Sequence, residues 1–136
     1  MQARIRFGMR IVHYSVQGNH LHLLVEAGDR DALARGMQGL AIRVAKSLNR
    51  LFARSGRVWA DRYHSHVLRS RREAANAPRY LLGNFARHAR QWGKSAAQFG
   101  DGFSSVRFLG LGDPDAPVAA PRTWLLCVGW RAEPAG

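Results

Sequence analysis

Two histidines stand one residue apart in the stretch GNHLHLLVE, Gly18 to Glu26. In an extended strand, residues two apart share a face. His20 and His22 therefore project together, while Leu21 and Leu23 turn the other way. Two imidazoles side by side offer two nitrogens to a divalent metal. That is too few to close a structural zinc site, but it suits an ion with an open shell that also takes substrate oxygens. The plainer reading of the pair is two polar side chains on a half-buried strand. Further on, in RYLLGN, Tyr80 and Asn84 are four apart, the spacing that puts both on one face of a helix. A tyrosine that attacks a phosphodiester needs no activated water, and its covalent phosphotyrosine keeps the bond energy for rejoining. The Asn84 amide oxygen can complete a metal shell, and nearby arginines can meet the charge that develops on phosphate. The plainer reading of Tyr80 is a packing aromatic. His64 and His66, in YHSH, repeat the same spacing without a following apolar run; they read as a polar strand face or a nucleic-acid contact.

Charge says what such groups would act on. The chain of 136 residues has 21 Lys+Arg against 9 Asp+Glu, a net charge of +12. Polyanions are the natural partners, nucleic acid before membrane, because no long apolar segment is present. All the bases but Lys46 and Lys94 are arginine, a bias that a GC-rich coding sequence also produces. The excess sits in the chain up to Lys94; the remaining tail is slightly acidic. The length suits one domain and 46% apolar residues suffice for a core. One cysteine, Cys127, makes no internal disulfide. The N-terminal MQARIRFGMR has no apolar signal core, so the expected location is the cytoplasm, with the nucleoid when DNA is bound.

These groups need elements to hold them. MRIVHYSV reads as a strand from Met9 to Val16, QGN as a turn, and HLHLLVEA as a returning strand, which together make an antiparallel hairpin. A helix follows, capped by Asp29 or Asp31. Leu33, Met37, Leu40, Val44, Leu48 and Leu51 form its apolar face, and Ser55-Gly56 is its expected end. Gly36 and Gly39 weaken it by about 1 kcal/mol each relative to alanine. Arg35, Arg43, Lys46, Arg50 and Arg54 run as a second stripe, able to track phosphates or simply to be solvated. Val58 to Leu68 reads as another strand. Ser70 and Glu73 then match the capping-box signature of a second helix. Pro78 falls inside that helix and predicts a kink. After Lys94 the chain is rich in Gly and Pro and reads as loop, and RTWLLCVGW as a short apolar segment that packs back on the body.

NHLHLLVEA, then RGMQGLAIRVAKSLN, then GRVWADRYHSHVLRSRREAANAPRYLLGN resembles, in order and spacing, the HUH single-tyrosine transposases, an insertion-sequence-like family, and among them the REP-associated tyrosine transposases. The likeness runs from about Arg10 to His88. It implies an α+β fold, a ferredoxin-like (RRM-like) antiparallel sheet with helices on one face. It also implies a single-stranded DNA endonuclease-ligase acting in DNA transposition or REP hairpin processing, by transesterification through a 5′-phosphotyrosine, with Mg²⁺ or Mn²⁺ as cofactor. Carried over by position, Tyr80 is the nucleophile, and His20, His22 and Asn84 are the metal ligands. Arg43, Lys46, Arg50, Arg62, Arg69 and Arg79 are the expected DNA contacts, by charge and position. Partners would be single-stranded or hairpin DNA, and members of the broader class can form homodimers. On this reading residues 1–94 are the transposase-like domain and 95–136 a loop-rich extension. Members normally begin with a further strand and helix, and that first strand lies beside the histidine strand; the expectation is a domain incomplete at its N-terminus. Pro78, two residues before Tyr80, also departs from the family pattern, as does NFARHA where members carry a segment like NPVRAG. Two other readings fit the residues. One is a catalytically inactive DNA-binding remnant; the other is a structural domain whose histidines hold zinc.

Overall fold

The computed structural model describes residues 5–91, 105 and 117–129, with backbone alone at 5–6, 82–91 and 129. Three antiparallel strands lie in the order β1 (Ile5–Arg6), β2 (Met9–Gln17), β3 (His20–Ala27). Two helices follow, α1 (Arg30–Leu51) and α2 (Arg71–Gln91), and then a short π-helical turn, Leu125–Gly129. The class is α+β, consistent with a partial ferredoxin-like fold.

The hairpin turns where the sequence says it should. Gln17 pairs with His20, leaving Gly18-Asn19 as a two-residue loop. Gly18 takes a positive φ of 49° and Asn19 does not, the φ pattern of a type II′ turn. Further along, the register shifts between Ile11 and His13. The extra residue at Val12 is a bulge, and it delivers Val12 to a cluster with Leu24, Ala74, Leu81 and Leu126. The core is therefore built where α2 and the terminal turn meet the Leu24 side of the hairpin.

The Met9 side is covered by α1. Asp29 caps that helix by accepting from the Ala32 N–H at 2.6 Å. Its tightest contact is made by small residues rather than by the leucine face. Ala32 and Gly36 are buried, whereas Leu33, Met37, Leu40, Val44 and Leu48 are half-buried and Leu51 is exposed. A Cβ placed on Gly36 would lie 2.6 Å from the Met9 Cβ, closer than two carbons can approach. The two expected helix-weakening glycines thus admit close contact with the turn into β2. By side-chain alternation Met9 and Leu24 point to opposite faces, so the two helices flank the hairpin instead of sharing one face.

The first helix stops at Leu51, short of the expected Ser55-Gly56. Arg54 N–H donates to Asn49 O and Ala53 N–H to Arg50 O, with Ala53 at φ 47°. This is a Schellman stop in which alanine occupies the position that favours glycine.

The expected strand at Val58 to Leu68 is not formed. A strand needs a neighbour for its backbone groups, and among the described residues β3 is paired on one edge only. The segment is held by side chains instead. Arg57 donates to the carbonyls of Trp59 and Ala60, and the Trp59 indole N–H donates to Ala41 O at 2.9 Å.

The second helix begins as its sequence requires. Glu73 N–H donates to Ser70 Oγ at 3.2 Å, and Ser70 N–H returns a bond to Glu73 Oε2 at 3.0 Å. Arg69 N–H reaches the same oxygen at 2.8 Å, and His66 Nε2 lies 3.1 Å from Glu73 Oε1. These contacts pull the Glu73 carboxyl down to about 2, the Arg69 N–H contributing most, then His66 and Ser70. The helix continues through Pro78, which removes the donor that would reach the Ala74 carbonyl.

The terminal segment packs back on the body as expected. Glu26, buried on β3, accepts from Arg122 N–H at 2.8 Å, Thr123 N–H at 2.9 Å and the Thr123 hydroxyl at 2.6 Å. Burial pushes its carboxyl up. The Thr123 hydroxyl, the two N–H groups and the Arg10 guanidinium outweigh that and hold it below its usual range. Ala119 N–H bonds Ile11 O at 2.7 Å, and Leu126 joins the core.

Candidate functional site

The pleat of β3 sets His20 and His22 on one face. Their rings lie nearly parallel, 9° apart, with centroids separated by 6.1 Å. Across the ladder Ser15 faces His22 and Gln17 faces His20, so four polar residues share this end of the face. Ser15 is fully buried and receives the Gln17 amide N–H at 2.8 Å. The other end of that amide, Gln17 Oε1, is buried with no partner. A buried acceptor without a donor is costly, and here it sits on the strand pair that carries the histidines.

The second helix brings Tyr80 to the same place. Its ring stands edge-on to His22 at 90°, with centroids 6.4 Å apart. The anchor is Leu81, the next residue, buried in the cluster with Leu24 and Val12. Tyr80 itself remains 58% exposed. The helix that buries Leu81 therefore leaves the phenol open to a large substrate. His20, His22 and Tyr80, drawn from two elements, thus lie side by side. Asn84, a helical turn beyond Tyr80, has its backbone in α2, but its side chain lies outside the described residues.

The donor chemistry fits a divalent ion. Two imidazole nitrogens share a face, and a neighbouring acceptor oxygen lacks a donor. Among the described residues no group of three or more His, Cys, Asp or Glu side chains is placed to hold a metal. Of the two histidines of YHSH, His66 is engaged with Glu73.

The expected DNA contacts divide into two sets. Arg79 adjoins Tyr80 on α2, Arg69 sits at the mouth of that helix, and Arg62 lies in the irregular segment before it. Arg43, Lys46 and Arg50 belong to α1, on the other side of the hairpin from the histidines. The structure does not bring this second set to the His–Tyr cluster.

Sequence reasoning missed Glu26. Its signal was present, since Glu26 shares the alternation of His20, His22 and Leu24 and is a carboxylate inside an apolar strand. Gln17 left no such mark. Nor did His13, whose Nδ1 lies 3.1 Å from the buried Ser105 hydroxyl and whose pKa is lowered by burial.

Residues 2–83, more than half of the chain, match the family model described as "Transposase IS200 like". The match includes His20, His22 and Tyr80. No curated protein and no solved structure matches the chain. No helix among the described residues is long and apolar enough to cross a membrane.

Proposed function

Because the chain belongs to the IS200-like transposase family, whose partner is DNA, we propose that it cuts and rejoins single-stranded DNA beside a hairpin, with Tyr80 as nucleophile. The observation that carries this reading is the approach of the exposed Tyr80 ring to His22.

In the forward step the Tyr80 phenol oxygen attacks a DNA phosphorus. The tyrosine O–P bond forms and the P–O3′ bond breaks. The phenol proton passes to solvent, and the departing 3′-oxygen takes one up. The product is a 5′-phosphotyrosine and a free 3′-hydroxyl. Rejoining reverses the sequence: a 3′-hydroxyl attacks the phosphotyrosine and restores the phenol. One phosphodiester is exchanged for another, so no external energy source is needed. His20 and His22 would hold a divalent cation, with Asn84 assigned as third donor from its spacing. When bound there, Mg²⁺ or Mn²⁺ polarises the phosphate. Arg79, next to the nucleophile, supplies positive charge to the phosphate oxygens.

The test is covalent trapping. The protein is incubated with hairpin-bearing single-stranded DNA and Mn²⁺, then run under denaturing conditions. The reading expects an adduct that Tyr80→Phe abolishes and that His20→Ala or His22→Ala lowers by about 10²–10³-fold, the scale of losing a positioned electrostatic group. DNA binding without any adduct would identify an inactive DNA-binding remnant instead.

A further inference from the structure

A second feature lies on the other side of the hairpin. Phe7 and Gly8 form the two-residue turn between β1 and β2, and both have positive φ, 53° and 78°. A phenylalanine in that region is an outlier, since its Cβ crowds the backbone. The surrounding structure accepts that strain and holds the ring over α1. A Cβ built on Gly39 would lie 3.2 Å from Phe7 Cε2, so the ring rests on the bare helix at this glycine. Phe7 is still 45% exposed, and Ile42 beside it 47%. Arg35, Arg43 and Lys46 line the same shallow depression.

We propose that this depression is a second nucleic-acid site, in which one base of a single strand stacks on Phe7 while its phosphates follow Arg35, Arg43 and Lys46. An aromatic ring beside a row of bases is the elementary design for sequence-tolerant single-strand binding. The charge row favours a polyanion, and the exposed ring favours a strand with unstacked bases over a duplex. Because α1 and the His–Tyr cluster lie on opposite sides of the hairpin, this site holds a stretch of DNA other than the phosphate being cut. The proposal rests on DNA being the partner, as read above, but not on Tyr80 chemistry.

The experiment measures fluorescence anisotropy of a labelled 15-mer of thymidylate in EDTA, with all variants in a Tyr80→Phe background. Phe7→Leu is expected to weaken binding about tenfold or more, the scale of one lost stacking contact, and Phe7→Tyr to restore it. Arg43→Gln with Lys46→Gln should reduce the slope of log affinity against log salt by about 1.4, from two single-strand phosphate contacts. A duplex of the same length should be insensitive to Phe7→Leu. The proposal is overturned if Phe7→Leu binds thymidylate like the parent, if duplex and single strand lose affinity equally, or if Phe7→Tyr does not rescue. Because the assay contains no metal and no nucleophile, a failure of strand cleavage would leave these results standing, and the reverse also holds.

Discussion

The Tyr80 ring meets the His22 ring edge-on, 6.4 Å between centroids, although the two stand 58 positions apart in the chain. Two independent pieces of local order produce this meeting. The strand period turns His22 toward α2, and the burial of Leu81 fixes the rotation of that helix. Neither depends on the histidines or the tyrosine themselves, so the site can be altered without dismantling its scaffold.

Gly36 is a position where better helix propensity should lose to packing. Alanine would gain about 1 kcal/mol in an isolated helix. Here its Cβ would meet Met9 Cβ at 2.6 Å and Sδ at 2.8 Å, and Met9 is 1% exposed. Overpacking of this kind costs about 1–3 kcal/mol. Urea denaturation of Gly36→Ala should show a lower midpoint, whereas Gly39→Ala, whose neighbour is the exposed Phe7 ring, should be close to neutral. Equal or raised stability for Gly36→Ala would contradict the close approach.

Glu26 ties the terminal segment to β3. Glu26→Ala would leave the Arg122 and Thr123 N–H groups without their acceptor and remove the carboxylate 3.9 Å from Arg10 Nε, whose guanidinium still donates to Ala120 O, a loss of about 3 kcal/mol for a buried charged hydrogen-bond network. Amide exchange at Arg122 and Thr123 should accelerate markedly, with much less change at Tyr14. Unchanged exchange at those two amides would show that the segment is held without Glu26, by the Ala119–Ile11 and Arg10–Ala120 bonds and Leu126 packing.

Acid should loosen the molecule in stages, and the signs agree. His13 has its pKa lowered from 6.5 by burial, so the unfolded chain takes up the proton first and stability falls as pH drops below about 6.5. Glu73 is lowered from 4.5 to about 2. Its contribution is complete above about 4.5 and is lost as pH falls toward 2. Glu73→Gln should be less stable than the parent at pH 7 yet flatter between pH 4.5 and 2, by urea midpoints across that range. A parallel pH profile for the two proteins would remove Glu73 from this role.

Much of this arrangement was legible in the residues. The apolar and polar alternation of β3, Gly18 at the turn and the Ser70–Glu73 box are local signals, and each formed as read. The His20–His22 alternation formed as read, and the Tyr80 ring lies against His22; the Asn84 side chain lies outside the described residues. What was not legible depended on partners far along the chain. The 58–68 segment has strand-like residues, but a ladder needs a neighbour, and β3 is paired on only one edge among the described residues. The Ala32–Gly36 contact was hidden because its residues are small, so a reading that weights large apolar side chains passes over them. Glu26 looked like an isolated charge because its donors, Arg122 and Thr123, lie 96 and 97 positions later.

The central claim is that the Tyr80 phenol becomes bonded to DNA, and peptide mass spectrometry of the trapped complex addresses it most directly. After nuclease and trypsin digestion, the peptide beginning at Tyr80 should carry the added mass of a 5′-linked nucleotide on its tyrosine, in a Mn²⁺-dependent manner, and the released DNA fragment should end in a 3′-hydroxyl. An adduct on Tyr14, Tyr63 or any other side chain, or an unmodified Tyr80 peptide from a reaction that has cut its DNA, would contradict the account.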